Sequence, residues 1–397
     1  MRILFVSDVY FPRVNGVSTS IRTFRTELAA QGHESVLVCP VYGAGEDVEA
    51  DLLRVPARRV PLDPEDRAME WSRLRQLAKL LSHERFDLVH IQTPFVAHYA
   101  AMRFARARGL PVVATYHTLF EEYLYHYVPF APRAWMRAFA RRFSRGQCNA
   151  LDAVVVPSAP MRDALAAYGV TAPMEVIPTG IPLEDFARGD GAAFRRRHGI
   201  AADRPMLLYV GRVAFEKDIA FLVEVLAELR RQVPDALLVI CGEGPAEASL
   251  RQLVSRLDLD RHVLFVGYLD RASALLDCYR AADLFVFASR TETQGLVLLE
   301  AMACGTPVVA LAEMGTRDVL REGEGARIAP GDVPGFAAIA GHLLRHPDER
   351  RALAARAPAY AATWGARATG ERMAAFYCRV VEAARGRAVP AGALERA

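Results

Sequence analysis

Short runs that are apolar throughout, RILFVSD, SVLVCPV, DLVHIQ, PVVATYH and DAVVVPS, alternate with longer helical patterns in the first half of the chain. MLLYVGR, ALLVICGEG, VLFVGYL, ADLFVFAS and PVVALAE repeat the scheme in the second half. Strands without an apolar/polar alternation are buried on both faces, and strands separated by helices pair in parallel. Two such sets predict two doubly wound α/β domains. The chain length of 397 residues agrees with two cores rather than one. The Pro- and Gly-rich stretch TAPMEVIPTGIPLEDF is the linker candidate, giving a first domain at 1–172 and a second at 173–373. A C-terminal helix, about 374–397, is expected to return to the first domain, with a polar tail from Arg385 that frays. Ligands in open α/β sheets sit beyond the carboxyl ends of the strands, so the chemistry is expected in a cleft between the two domains.

Composition narrows the partners. The 49 basic and 46 acidic side chains nearly cancel, which leaves no overall field for wrapping nucleic acid. The six cysteines stand singly, without a C-x-x-C pair for a metal or redox site, as expected in a reducing compartment. The opening MRILFVSDVYFP is too short an apolar run for a membrane span and lacks the charged leader and cleavage site of a signal peptide. The expected location is cytoplasmic, with peripheral contact to a membrane left open.

The segment SRTETQGLVLLEAMACGTPVVA runs from a strand end through a loop into a helix and out again. Gly295 opens that helix and Gly305 with Pro307 closes it. A helix N-terminus offers unpaired N–H groups and a partial positive charge, which suits a diphosphate, and Gly295, Leu296 and Val297 would supply the donors. Glu300, further into the helix, can accept both hydroxyls of a ribose, and Glu292 on the loop lies where a sugar beyond the phosphates would be. On spacing alone, two surface carboxylates flanking an amphipathic helix explain the pattern equally well.

Other places along the chain also draw attention. In LLYVGRVAFEKD, Gly211, Arg212 and Lys217 follow a strand, where isolated charges are more often simply solvated. In FPRVNGVSTSIRTF, Asn15, Gly16 and Val17 read as a tight turn, and Ser18 or Thr19 as the cap of a helix whose Ile21, Phe24 and Leu28 face the core. His117 closes PVVATYHT, and Glu243 with Gly244 follows another strand in ICGEGP. The D-x-D at Asp258–Asp260 sits in a helix-to-strand turn and reads as loop capping.

Together these motifs resemble the retaining family 4 (group 1) glycosyltransferases. The Glu292-x7-Glu300 spacing, the EAMACGTPVVA string and the GR-x4-K spacing all match. The resemblance implies the GT-B architecture, two Rossmann-like domains facing across a cleft. It implies that Glu300 binds the ribose, Glu292 contacts the donor sugar, and Arg212 and Lys217 clamp the diphosphate. Asn15-Gly16 stands where most members carry Gly-Gly near the phosphates, His117 matches the residue that orients the sugar's 6-hydroxyl, and Glu243 fits the same pattern. The family usually reacts on the donor's own face, with the leaving phosphate oxygen taking the acceptor's proton. It implies no divalent metal and no cofactor.

The acceptor is harder to read. In HTLFEEYLYHYVPFAPRAWMRAFARRFSRGQC, one helical face carries Arg133, Arg137, Arg141 and Arg145 and another carries Trp135, Phe139 and Phe143. Such a helix can lie on an anionic bilayer, or it can pack its aromatics on the first domain and show its arginines to water. The string HTLFEEYLYHYVP resembles bacterial diacylglycerol α-glucosyltransferases and related α-mannosyltransferases. That resemblance points to Tyr116, Glu121, Tyr123, His126 and Tyr127 as the acceptor side. The leading expectation is transfer of a hexose from UDP-glucose to a membrane lipid such as diacylglycerol. The alternatives are a mannosyltransferase using GDP-mannose, a transferase with a soluble sugar or inositol-type acceptor, an epimerase or phosphorylase on the same scaffold, and a non-catalytic sugar-nucleotide or lipid-binding module.

Overall fold

The computed structural model describes residues 1–43, 51–60, 63–118, 133–271 and 273–388. The chain forms two compact units. The first comprises Met1–Gly180 with Ala366–Ala397, and the second comprises Ile181–Gly365.

In the first unit, the elements run β1 (Arg2–Val6), α1 (Gly16–Ala30), β2 (Glu34–Pro40), β3 (Leu52–Val55), β4 (Ala57–Val60), β5 (Asp63–Met69), α2 (Trp71–Leu80), β6 (Leu88–Ile91), α3 (Val96–Arg108), β7 (Val112–Thr115), α4 (Arg133–Cys148), β8 (Ala153–Val156), α5 (Ala159–Ala167) and β9 (Met174–Val176). Seven strands pair in parallel in the order β3-β2-β1-β6-β7-β8-β9, and β4 with β5 forms a separate antiparallel hairpin. The central strands are buried on both faces, which accounts for their unbroken apolar sequence.

The first boundary falls at Gly180 rather than at residue 172, because Met174–Val176 adds to β8 at the edge of the first sheet. Short length and flanking prolines hid that strand.

The second unit contains α6 (Gly191–Arg197), β10 (Met206–Val210), α7 (Ile219–Leu229), β11 (Leu237–Cys241), α8 (Glu247–Arg256), β12 (Val263–Gly267), α9 (Ala274–Ala281), β13 (Leu284–Phe287), α10 (Leu296–Ala303), β14 (Val308–Ala310), α11 (Thr316–Val319), β15 (Ala326–Ile328), α12 (Val333–Arg345) and α13 (Pro347–Ala362). Its parallel sheet is ordered β12-β11-β10-β13-β14-β15. Leu207, Leu208, Phe285 and Val286 on the central strands are almost entirely excluded from solvent. Both units are therefore doubly wound, Rossmann-like domains.

The last helix, α14 (Ala366–Ala388), belongs to the first unit. Met373, Phe376 and Tyr377 pack with Phe24 and Leu28 of α1. The helix continues past Arg385 to Ala388, with Arg385 paired to Asp87 and Arg387 paired to Asp152, and the rest of the expected tail, 389–397, lies outside the described residues. Among the described residues, no helix is long and apolar enough to cross a membrane.

Candidate active site

Strand order reverses in the second sheet between β10 and β13, which lie side by side with Leu207 opposite Leu284. Loops leaving the carboxyl ends of such neighbours diverge to opposite faces and open a crevice. The loop after β10 carries Gly211, Arg212 and Lys217, and the loop after β13 carries Glu292. The Lys217 ammonium donates to Glu292 Oε2 at 2.6 Å. Two further bonds hold these loops together, from Ser289 Oγ to the Glu216 carbonyl at 3.3 Å and from Thr291 Oγ1 to the same oxygen at 3.4 Å. Beneath them, buried Tyr209 donates to the Arg212 carbonyl at 3.1 Å. Burial, reinforced by Glu292 and Glu216, pushes its hydroxyl well above the ordinary tyrosine value.

The loop then turns into α10. Gly295 caps the helix at φ 95°, a left-handed conformation that side chains with a Cβ resist. The turn before α11 presses against the same loop: Gly315 N donates to the Glu292 carbonyl at 2.9 Å, and a Cβ on Gly315 would lie 1.9 Å from the Thr293 carbonyl oxygen. Leu296 and Val297 form the first helical turn, whose N–H groups have no acceptor within the helix. Glu243 follows β11, and its carbonyl accepts from Val213 N at 2.9 Å, next to Arg212.

Glu300 is buried, and its carboxylate has two partners that the sequence did not reveal. Tyr279 Oη donates to Oε2 at 2.8 Å, and the Arg271 guanidinium pairs with Oε1. The carboxylate holds the Arg271 guanidinium still more firmly protonated, and burial with the adjacent charge raises the Tyr279 hydroxyl well above its usual range. Tyr279 carried only a packing signal on α9, and Arg271 lies in a loop without periodicity.

In the first unit, Asn15 caps α1 through its own side chain, accepting from Ser18 N at 2.8 Å. The tight turn and the Ser18 or Thr19 cap are thereby corrected: Gly16 and Val17 are already helical, and Ser18 Oγ instead donates to the Arg13 carbonyl at 2.8 Å. Ile21, Phe24 and Leu28 do face the core. His117 follows β7 and bonds through Nε2 to Gln92 Oε1, after β6, at 3.0 Å. Burial lowers its pKa to about 4, so the ring is neutral near pH 7. Asp8, after β1, accepts from Thr93 Oγ1 at 2.8 Å and from Ala97 N at 3.1 Å. Burial pushes its carboxyl up to about 7 despite those bonds. The sequence reading missed both Asp8 and Gln92.

Tyr116 is buried, its hydroxyl 2.6 Å from Ser144 Oγ on α4. Glu121, Tyr123, His126 and Tyr127 lie outside the described residues. On α4, the buried stripe is Met136, Ala140, Ser144 and Cys148, a row the sequence reading overlooked because most of its residues are small. Trp135 and Phe139 are exposed at 80% and 60%, so these aromatics do not pack on the first unit. Among the described residues, no group of three His, Cys, Asp or Glu side chains is placed to hold a metal ion. Asp258 and Asp260 sit in the α8–β12 turn, where Ser255 Oγ donates to Asp260 Oδ1 at 2.8 Å.

Two doubly wound units, one carrying a Lys–Glu pair and a buried carboxylate at its switch point, define a GT-B glycosyltransferase. Residues 14–185 match the profile described as Glycosyltransferase Family 4, and residues 190–360 match Glycosyl transferases group 1. The alpha-monoglucosyldiacylglycerol synthase of Streptococcus pneumoniae is 34% identical over 321 residues, covering 78% of this chain and 71% of that protein. A GDP-mannose-dependent alpha-(1-6)-phosphatidylinositol dimannoside mannosyltransferase of Mycobacterium tuberculosis is 28% identical, covering 92% of this chain and 93% of its own length. Among solved structures, a sucrose-phosphate synthase from Thermosynechococcus elongatus superposes with a TM-score of 0.78 at 22% identity, covering 96% of this chain and 99% of that one. The chain belongs to the family 4, group 1 glycosyltransferases.

Proposed function

We propose that the protein is a retaining hexosyltransferase that moves glucose from UDP-glucose to the hydroxyl of a membrane lipid such as diacylglycerol. The observation carrying the donor half is the Lys217–Glu292 pair at the β10/β13 switch point. Lys217 and Arg212 neutralise the departing diphosphate, the α10 N-terminus at Gly295, Leu296 and Val297 receives its oxygens, and Glu300 holds the ribose. Glu292 meets the donor sugar. On the first unit, Asn15, Gly16 and His117 keep the donor-side roles that the family resemblance gives them. The bond from the sugar's C1 to the phosphate oxygen breaks, the acceptor oxygen bonds to C1 on the same face, and its proton passes to the departing phosphate oxygen.

The acceptor half rests on two supports. The relatives from Streptococcus and Mycobacterium differ in the sugar their names carry and share a lipid acceptor. The exposed Trp135 and Phe139 on an arginine-rich helix suit a protein that works against an anionic bilayer from the cytoplasmic side. No cofactor or metal enters this reading.

The test is release of nucleotide from UDP-glucose, UDP-galactose, UDP-N-acetylglucosamine and GDP-mannose, with and without diacylglycerol in anionic vesicles. Vesicle-stimulated release from UDP-glucose alone is expected. Stimulation with GDP-mannose alone would make the enzyme a mannosyltransferase, and release indifferent to vesicles would assign a soluble acceptor.

A further inference from the structure

Successive residues of a helix are about 100° apart, so residues of α4 at steps of four share a row. Met136, Ala140, Ser144 and Cys148 face the core. Arg137, Arg141 and Arg145 lie on one flank, and Arg141 stands 5.3 Å over the Tyr168 ring. The other flank carries Trp135, Phe139, Phe143 and Gln147, with the rings of Phe139 and Phe143 stacked at 6.0 Å and 18°.

This aromatic row continues beyond α4. Gln147 donates to the Pro94 carbonyl at 2.7 Å and reaches the Tyr99 hydroxyl at 3.5 Å, which ties its end to the start of α3. There Tyr99 is 53% exposed and Phe95, four residues earlier, is 48% exposed. Phe95 lies three residues beyond Gln92, the partner of His117. Exposed aromatics thus extend from the outer end of α4 to the carboxyl end of β6.

We infer that this row is a track for the apolar part of the lipid acceptor, with Phe95 and Tyr99 receiving its acyl chain beside the His117 strand end. The inference rests on the lipid acceptor proposed above. Charge complementarity identifies the occupant, because α4 carries five arginines and no acidic residue, which favours an anionic bilayer surface over an acidic-and-basic protein partner. Length agrees: the helix from Trp135 to Gln147 rises about 18 Å, close to the roughly 15 Å of one hydrocarbon leaflet. Phe95 and Tyr99 are specificity residues for the acceptor and leave the donor site untouched.

The experiment uses diacylglycerol bearing an acyl-chain diazirine in phosphatidylglycerol–phosphatidylcholine vesicles, comparing the full chain with the F95S/Y99S and F95L/Y99F variants. After irradiation, adducts are expected on the tryptic peptide Phe86–Arg103. In F95S/Y99S they should fall at least tenfold together with transfer to the same lipid, while vesicle binding and melting temperature stay unchanged and F95L/Y99F behaves as wild type. Adducts confined to α4, or undiminished in F95S/Y99S, would overturn the track. So would a wild-type dimer that F95S/Y99S dissociates without any adduct on that peptide, which would give the face to a second copy. Adducts on Phe86–Arg103 without sugar transfer would keep the track and refute diacylglycerol as acceptor.

Discussion

The Lys217 ammonium and the Glu292 carboxylate, 75 residues apart in the chain, meet at 2.6 Å where two neighbouring strands send their loops apart. In the free enzyme each offsets the other's charge. On the function proposed above, a bound diphosphate would compete for Lys217 and release Glu292 toward the sugar. Lys217→Ala should therefore lower kcat by about 100- to 1,000-fold, the usual loss when one preorganised charge-stabilising group is removed. The losses from Lys217→Ala and Glu292→Ala should combine less than additively, with a coupling of about 0.5–3 kcal/mol from the double-mutant cycle. Strict additivity in kcat/KM would show that the pair does not act as a unit.

On the proposed function Glu300 binds the donor rather than reacting with it, and its carboxylate is buried against Tyr279 and Arg271. Glu300→Gln should raise the KM for donor about 10- to 100-fold, as expected when charged hydrogen bonds are lost, and change kcat by no more than about threefold. A fall in kcat at unchanged KM would move Glu300 into the chemical step.

The Cα of Gly315 lies so close to the Thr293 carbonyl that an added Cβ would stand 1.9 Å from the oxygen. Because that neighbour is backbone, the motif loop itself must shift. Gly315→Ala should cost about 1–3 kcal/mol of stability and reduce activity through displacement of Glu292. Melting temperature and kcat measured on the same preparation check this, and wild-type values for both would contradict the close approach.

Legibility in the sequence followed burial and periodicity. Strands such as β1, β10 and β13 announced themselves because both faces are covered. The edge strand β15, Ala-Arg-Ile, is short and partly exposed, so no apolar run marked it. At the site, Glu292 and Glu300 were found through a local motif. Arg271 and Tyr279 were not, because their role exists only once separate elements converge on Glu300. On α4 the aromatic and arginine rows were legible, whereas the row that packs is, apart from Met136, made of small residues whose value is close approach. Asn15 was assigned to a turn because its side chain can serve either as a turn former or as a cap, and only the path of the chain decides.

His90 links the first sheet to α14. Its Nδ1 lies 2.5 Å from Tyr377 Oη and its Nε2 lies 2.8 Å from Thr115 Oγ1. Burial lowers its pKa from 6.5 to about 3. Between those values the unfolded chain binds a proton that the folded one refuses, so this group's effect is absent above pH 6.5 and destabilises progressively as pH falls toward 3. Replacing it with Asn should flatten the fall of stability with acid by up to one proton, about 1.4 kcal/mol per pH unit, alongside a constant cost from the lost bonds. Denaturant melts from pH 7 to 4 measure the slope, and an unchanged slope would mean that His90 titrates normally.

The most direct test of the central claim is the structure of the product formed from UDP-glucose and diacylglycerol in anionic vesicles, determined by mass spectrometry and the anomeric proton coupling in NMR. The account predicts an α-linked glucosyl diacylglycerol whose rate of formation falls about 100- to 1,000-fold with Lys217→Ala. A β-linked product would contradict retention, and no glycolipid from any of the four donors would contradict the lipid acceptor.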